Sequence, residues 1–243
     1  MASYKKSGKI VKKIQKFFSE QNKTKCVLGL SGGIDSALTL ALLVKALGNK
    51  NITCILMPNT KITKNQSTND AKKLAEKLGV RYFIVPIDEM LESFQTPWKQ
   101  SNTAKANLSA RTRALLLYNY ANSNNALVAG TGNKSEYYLG YFTKYGDAAA
   151  DFFPIGNLLK KEVREISKEL NLPKEFLEKA PSAELWEGQE DEKELGLTYA
   201  QIDELLPLIL EKKKIPASQK QAAEKIKKLI EATEHKRKSP LII

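Results

Sequence analysis

The segment Ser31-Gly32-Gly33-Ile34-Asp35-Ser36 has the residue types and spacing of a binding site for a phosphate chain. It lies between apolar runs at 26–28 and 38–47, which predict a buried strand and a packed helix. The two glycines allow a tight turn with open amide groups, and the helix N-terminus adds unpaired N–H groups and a positive partial charge. These features favour an anion site. The segment lacks the lysine of a Walker A loop. From spacing alone, a glycine-rich turn with an aspartate helix cap is the alternative.

Asp35 is the unexpected member of this segment, because a carboxylate repels phosphate unless a cation lies between them. Asp35 therefore predicts a bound Mg²⁺. A second carboxylate, Glu136, follows the apolar run 126–129 in Gly130-Thr131-Gly132-Asn133-Lys134-Ser135-Glu136. The carboxyl ends of parallel strands share one edge of a sheet, so we expect Glu136 to join Asp35 at the metal. Ser135 replaces the third glycine of a dinucleotide fingerprint, which excludes that type of site.

The remaining pattern predicts an α/β fold with a doubly wound parallel sheet, flanking helices and a mainly helical C-terminal part. Predicted strands and helices alternate along the chain, with strands at 26–28, 52–57, 82–87 and 126–129 and helices at 10–18, 71–78 and 107–121. We expect residues 1–243 to form a single domain. Segments 88–106 and 184–196 show no clear periodicity, so each is either a lid or a plain surface loop.

Composition narrows the class of protein. Lys and Arg outnumber Asp and Glu by 39 to 27, a formal net charge of +12, but only residues 235–238 form a dense basic run. We therefore expect no nucleic acid partner. Cys26 and Cys54 lie in apolar runs and are predicted to be buried free thiols. No signal peptide or membrane-spanning run is evident, which predicts a cytoplasmic protein without a membrane partner.

The Ser-Gly-Gly-x-Asp-Ser segment resembles the pyrophosphate loop of ATP pyrophosphatases, which activate an acceptor by adenylation. That motif indicates a superfamily without naming the acceptor. Longer blocks resemble bacterial-type NAD synthetase over roughly residues 26–238; they are LGLSGGIDSA, NLSARTRALLLYNYAN, GTGNKSE, GYFTKYGDAAADFFPI and KAPSAELWEGQEDEKELG.

The resemblance implies an adenine nucleotide α-hydrolase-like fold and a set of site residues. ATP is expected to contact Gly29, Leu30, Ser31, Gly32, Gly33, Ile34, Asp35, Ser36, Thr131, Lys160 and Ser182. Deamido-NAD is expected to contact Arg111, Lys144, Asp151, His235 and Lys236. Mg²⁺ is expected at Asp35 and Glu136, and Asp35 and Lys160 are the expected catalytic residues. The family often has threonine where this chain has Ser182, which keeps the hydroxyl.

The resemblance also implies a homodimer with deamido-NAD at its interface. The ridge Leu115-Leu116-Leu117-Tyr118 in helix 107–121 is the candidate interface, although such a ridge also suits an ordinary core.

The expected reaction is ATP-dependent amidation of deamido-NAD by ammonia through an acyl adenylate, giving NAD, AMP and pyrophosphate. We expect free ammonia, because neither cysteine is placed to act as the nucleophile of a glutaminase. Two alternatives remain. Another adenylating enzyme, such as a tRNA-modifying one, would suit the basic composition, whereas a non-catalytic nucleotide-binding module would not require two metal carboxylates.

Overall fold

A four-stranded parallel sheet forms the centre of the computed structural model, which describes residues 2–179, 186 and 188–242. The spatial order of the strands is β3-β2-β1-β4. Their bounds are Lys25–Gly29 for β1, Ile52–Leu56 for β2, Arg81–Ile84 for β3 and Ala126–Ala129 for β4. In register, Val27 of β1 pairs with Thr53 on one side and Val128 on the other. The loops after β1 and β4 therefore leave the sheet side by side.

Helices connect and cover these strands. In the first part of the chain they are α1 (Ala2–Glu20), α2 (Ile34–Leu47), α3 (Asn65–Lys77), α4 (Asp88–Ser93) and α5 (Asn102–Asn124). After β4 they are α6 (Lys134–Leu139), α7 (Lys160–Glu169), α8 (Lys174–Glu178), α9 (Asp191–Leu195), α10 (Tyr199–Leu210) and α11 (Lys220–Ala232). Short 3₁₀ turns occur at Asn49–Asn51, Ala217–Gln219 and Glu234–Lys236.

The two faces of the sheet are covered by different helices, because successive side chains of a strand point to opposite faces. Cys26 and Leu28 of β1 pack in one cluster with α1, α2, α3 and α7. Val27, between them, packs in another cluster with Ile55, Val128 and residues of α5. This arrangement confirms the predicted doubly wound α/β fold.

The C-terminal part is helical, as predicted, and contains its own apolar cluster. Residues of α6, α10 and α11 meet there, including the fully buried Leu139, Tyr199 and Ile226. Contacts of α10 with α7 join this cluster to the sheet-covering helices. Helix α7 is therefore packed between α10 and the sheet-covering helices α1 and α2, and this packing fixes its first residue, Lys160.

The structure differs from the pattern-based expectations where elements are short or interrupted. Strand β3 ends at Ile84 instead of continuing to 87, since Pro86 has no N–H to donate. Segment 88–106 contains α4 and the start of α5, which Ser101 caps by accepting from the Ala104 N–H at 3.1 Å. The described part of segment 184–196 contains α9. Helices of five or six residues are too short to show a 3.6-residue period.

Both cysteines are buried free thiols, as predicted. Burial raises the pKa of Cys54 to about 12 and that of Cys26 further still. Among the described residues, no helix combines the length and the apolar character needed to cross a membrane.

Candidate functional site

The loop at residues 30–33, here called the phosphate loop, joins the end of β1 to the start of α2. Gly32 has φ +80°, and a Cβ on it would lie 2.2 Å from the carbonyl oxygen of Ser67. Only glycine fits at position 32, because the positive φ disfavours any side chain and a Cβ would collide with the Ser67 backbone. Ser31 Oγ lies 3.1 Å from Ser36 Oγ and accepts from the Gly33 N–H at 3.2 Å. The loop is thus held in a tight turn by its own hydroxyls.

Asp35 does not cap α2, so the cap alternative is wrong. Gly33 is the N-cap residue and makes no side-chain cap bond. The Asp35 carboxylate instead accepts from Lys160 Nζ at 2.6 Å and from Asn133 Nδ2 at 2.9 Å. Asp35 therefore faces a charged cluster formed with α6 and α7.

Lys160 lies between two carboxylates in this cluster. Its ammonium is 2.6 Å from Asp35 Oδ2 and 2.9 Å from Glu136 Oε1, and the residue is only 2% exposed. Asn133 and Glu136 form a capping box at the start of α6, which fixes the Glu136 side chain. The first turns of α2, α6 and α7 thus bring Asp35, Glu136 and Lys160 together, as the sequence motifs led us to expect for the two carboxylates.

Burial dominates the electrostatics of the cluster. It raises the pKa of Glu136 to about 7, although Lys160 acts in the opposite direction. Burial also disfavours the charged form of Lys160, but Asp35 and Glu136 outweigh it and hold the lysine pKa well above its usual range. The lysine therefore stays charged, and the carboxylates depend on it for compensation.

Asp203 anchors the start of α7 and was missed by sequence reasoning. It is 2% exposed, accepts from Ser135 Oγ at 2.6 Å and accepts from the Lys161 N–H at 2.6 Å. Ser135 Oγ in turn accepts from the Lys160 N–H at 3.1 Å. The available signal was a carboxylate on the apolar face of α10, at helical spacing from Tyr199 and Leu206, where an unpartnered charge would be costly.

Tyr199 and Asp191 extend the cluster and were also missed. The Tyr199 hydroxyl donates to Asp191 at 3.1 Å and lies 3.4 Å from Glu136 Oε1. Its ring centroid is 5.0 Å from the ammonium of Lys160. Tyr141 also donates to Asp191, at 3.2 Å. These contacts tie α9 to the carboxylate side of the site.

A central cavity of about 420 Å³ opens over the ends of the strands. Residues of the phosphate loop, Thr131, α5 and the loop 140–147 line it. A second cavity of about 340 Å³, bordered by Glu136, meets the first at Phe142 and Asp147. The charged cluster thus lies beside a space large enough for a nucleotide-sized ligand.

Four of the five residues expected to contact deamido-NAD lie close together, and one of them, Lys236, lines the central cavity. Arg111 of α5 donates to the carbonyl of Lys144 at 3.3 Å, and Lys144 Nζ donates to the carbonyl of His235 at 2.6 Å. Lys236 donates to the carbonyls of Gly140 and Phe142 at 2.8 and 3.0 Å.

The fifth residue, Asp151, is held apart from these four. It accepts from the Val128 N–H at 2.7 Å and from the Tyr118 hydroxyl at 3.3 Å. Tyr118 follows Arg111 by seven residues on α5, so both lie on one face of that helix. Ser182, expected to contact ATP, lies outside the described residues.

The two carboxylates fit a magnesium ion that is completed by its substrate. Among the described residues, no group of three or more His, Cys, Asp or Glu side chains could hold a metal by itself. Mg²⁺ is commonly bound by one or two carboxylates together with substrate phosphates and water. Asp35 and Glu136, beside a phosphate loop, supply such a set of oxygen ligands.

Comparison with known proteins identifies the family of this chain. The family model described as NAD synthase matches residues 7–240. The chain belongs to the NAD synthase family. The match confirms the resemblance based on the sequence motifs.

Members of the NAD synthase family are similar over nearly all of this chain. The NH(3)-dependent NAD(+) synthetase of Archaeoglobus fulgidus is 44% identical over 96% of this chain and 95% of its own length. Among solved structures, the NMN synthetase of Francisella tularensis is 38% identical with a TM-score of 0.90, over 100% of this chain and 99% of its own. The NH3-dependent NAD synthetase of Campylobacter jejuni is 34% identical with a TM-score of 0.82, over 100% and 99% of the two chains.

Proposed function

We propose that this chain forms NAD by amidating deamido-NAD with ammonia, with ATP converted to AMP and pyrophosphate. The observation that carries the proposal is the Asp35–Lys160–Glu136 cluster beside the phosphate loop. The names of the Archaeoglobus and Campylobacter relatives support the same reaction. Burial keeps both cysteines protonated, which supports free ammonia as the nitrogen donor.

The first step activates the acceptor. A carboxylate does not react with ammonia at neutral pH, so its oxygen attacks the α-phosphorus of ATP and pyrophosphate leaves. The amides of the phosphate loop and the start of α2 would hold the departing phosphates. Lys160 would offset part of their charge. Ammonia then attacks the acyl carbon, AMP leaves, and a proton is lost from the nitrogen.

Asp35 and Glu136 are the residues that would hold Mg²⁺. The bound ion would neutralise phosphate oxygens and make pyrophosphate a better leaving group. Asn133 supports both carboxylates, by donating to Asp35 and by capping the turn that carries Glu136.

The acceptor side is proposed to be completed by a second copy of the chain. Leu115 is 70% exposed and lies on the face of α5 that carries Arg111 and Tyr118, whereas Leu116 and Leu117 pack in the core. An exposed leucine beside Arg111, which is proposed to contact deamido-NAD, and Tyr118, which donates to Asp151, supports a homodimer with the substrate at its interface.

One observation favours a second acceptor. The Francisella relative with a TM-score of 0.90 is an NMN synthetase, and the acid that corresponds to NMN is nicotinic acid mononucleotide. That compound carries the same carboxylate without the adenylate half, so the same activation chemistry applies to it.

The test supplies the purified chain with ATP, Mg²⁺ and one acceptor at a time. Deamido-NAD with ammonium is expected to give equal amounts of NAD and AMP, while ammonia-free glutamine gives neither. A higher kcat/KM with nicotinic acid mononucleotide than with deamido-NAD would identify the mononucleotide as the acceptor. If no AMP is formed with either compound, both proposed reactions are refuted.

A further inference from the structure

Lys179 directly follows α8 and reaches back to the start of α3. Its ammonium donates to Ser67 Oγ at 2.6 Å. Ser67 lies in the first turn of α3 and is 1% exposed. The segment 180–185, which carries Ser182, continues from this point outside the described residues. Lys179 is therefore the C-cap of α8, three residues before Ser182, which is expected to contact ATP.

The contact with Ser67 brings the ammonium next to the phosphate loop. A Cβ on Gly32 would lie 2.2 Å from the Ser67 carbonyl oxygen and 2.8 Å from its carbonyl carbon, so the two backbones pack directly together. Lys179 also lines the central cavity, together with Ser31 and Gly33. The lysine ammonium is carried on a flexible four-carbon stem, so it can change partners while the backbone stays in place.

The charges of the site leave a need for such a cation. Lys160 already compensates Asp35 and Glu136, so it cannot by itself balance the several negative charges of a triphosphate. Three described residues that line the central cavity are cationic, namely Arg113, Lys179 and Lys236. Arg113 and Lys236 donate to main-chain carbonyls, whereas Lys179 donates to Ser67, whose backbone packs against the phosphate loop.

We propose that Lys179 is a phosphate-binding residue of this reaction. Its ammonium moves from the Ser67 hydroxyl to the β- and γ-phosphates of ATP and stays on the pyrophosphate until release. A charge-assisted contact with phosphate is stronger than a hydrogen bond to a neutral hydroxyl such as that of Ser67. The inference rests on the proposed function, because it assigns the residue to the leaving group of that reaction.

The experiment measures binding of inorganic pyrophosphate with Mg²⁺ by calorimetry, and steady-state kinetics in the full chain. K179M is expected to weaken pyrophosphate binding and raise the KM for ATP by roughly tenfold to a hundredfold, the loss typical of one charged hydrogen bond. The KM for deamido-NAD should change by less than about twofold. K179R should recover most of the affinity. K174A, which removes an exposed lysine of the same helix, is the matched control.

The variant S67A distinguishes two roles for Lys179, namely binding phosphate and anchoring the chain to α3. If Lys179 only anchored its segment to α3, S67A would weaken pyrophosphate binding as much as K179M. If Lys179 binds phosphate, S67A retains wild-type affinity. Unchanged pyrophosphate binding in K179M, or equal losses in K179M and S67A, would overturn the inference; if K179M fails to fold, K179Q replaces it. Wild-type chain that forms no NAD would instead refute the proposed function.

Discussion

Replacement of Lys160 by Met should destabilise the protein strongly when no nucleotide is bound. The lysine side chain is 3% exposed and contacts Asp35 and Glu136 at 2.6 and 2.9 Å. Methionine fills similar space without the charge, so the two carboxylates would face each other with no cation between them. Loss of one partner from a buried ionic cluster costs roughly 3–5 kcal/mol.

That free energy corresponds to a large fall in melting temperature. For a chain of this length, 1 kcal/mol shifts the Tm by about 2–4 °C, so K160M should melt roughly 6–20 °C below the wild type at about pH 8. Burial already raises the pKa of Glu136 to about 7. Lys160 lowers this pKa, so without the lysine Glu136 takes up its proton at a higher pH than in the wild type, and the deficit of the variant should shrink as the pH falls toward 7.

Circular dichroism melts of K160M, with K161M as the control, check this reasoning. Lys161 is the exposed neighbour of Lys160 on α7, and its loss should leave the Tm nearly unchanged. Addition of Mg²⁺ should stabilise K160M more than the wild type, because the ion can bind where the ammonium was. A K160M protein that melts within about 2 °C of the wild type at both pH 8 and pH 5 would refute the argument.

Three further changes test the proposed site. D35N and E136Q should each lower AMP formation by roughly a hundredfold or more while the circular dichroism spectrum stays unchanged; normal turnover in either variant would contradict the proposed metal site. D203A leaves Ser135 Oγ and the start of α7 without their shared acceptor, so urea melts should show a loss of roughly 1–3 kcal/mol. Equal stability of D203A and wild type would show that this network is dispensable. Leu115→Glu should convert a dimer into a monomer with reduced NAD formation, measured by sedimentation. A fully active wild-type monomer would exclude the shared-site dimer.

The sheet was predictable because its signals are local. Strand β4 has the predicted bounds 126–129, and the buried β1 and β2 lie within one or two residues of their apolar runs. Helices α4 and α9 were not predicted, since five or six residues cannot show a helical period. Strand β3 was predicted too long, because its apolar run continues past the residue where ladder pairing ends.

The candidate site was predictable only where its residues follow a strand. Asp35 and Glu136 come after β1 and β4, which are neighbours in the sheet, so topology alone brings them together. Lys160 is separated from Asp35 by 125 positions, and only the family resemblance pointed to it. The partnership of Asp203 with Ser135 depends on how α10 packs against α6, which no local pattern encodes.

The position of Lys160 has a consequence for the order of binding. In the structure its ammonium neutralises the same two carboxylates that are proposed to hold Mg²⁺. A divalent cation that arrived alone would compete with a buried lysine whose pKa is raised by those carboxylates. Phosphate oxygens remove this conflict, since they offer the ammonium a second set of negative partners and complete the ligands of the metal. We therefore expect this cluster to take up Mg²⁺ and ATP together.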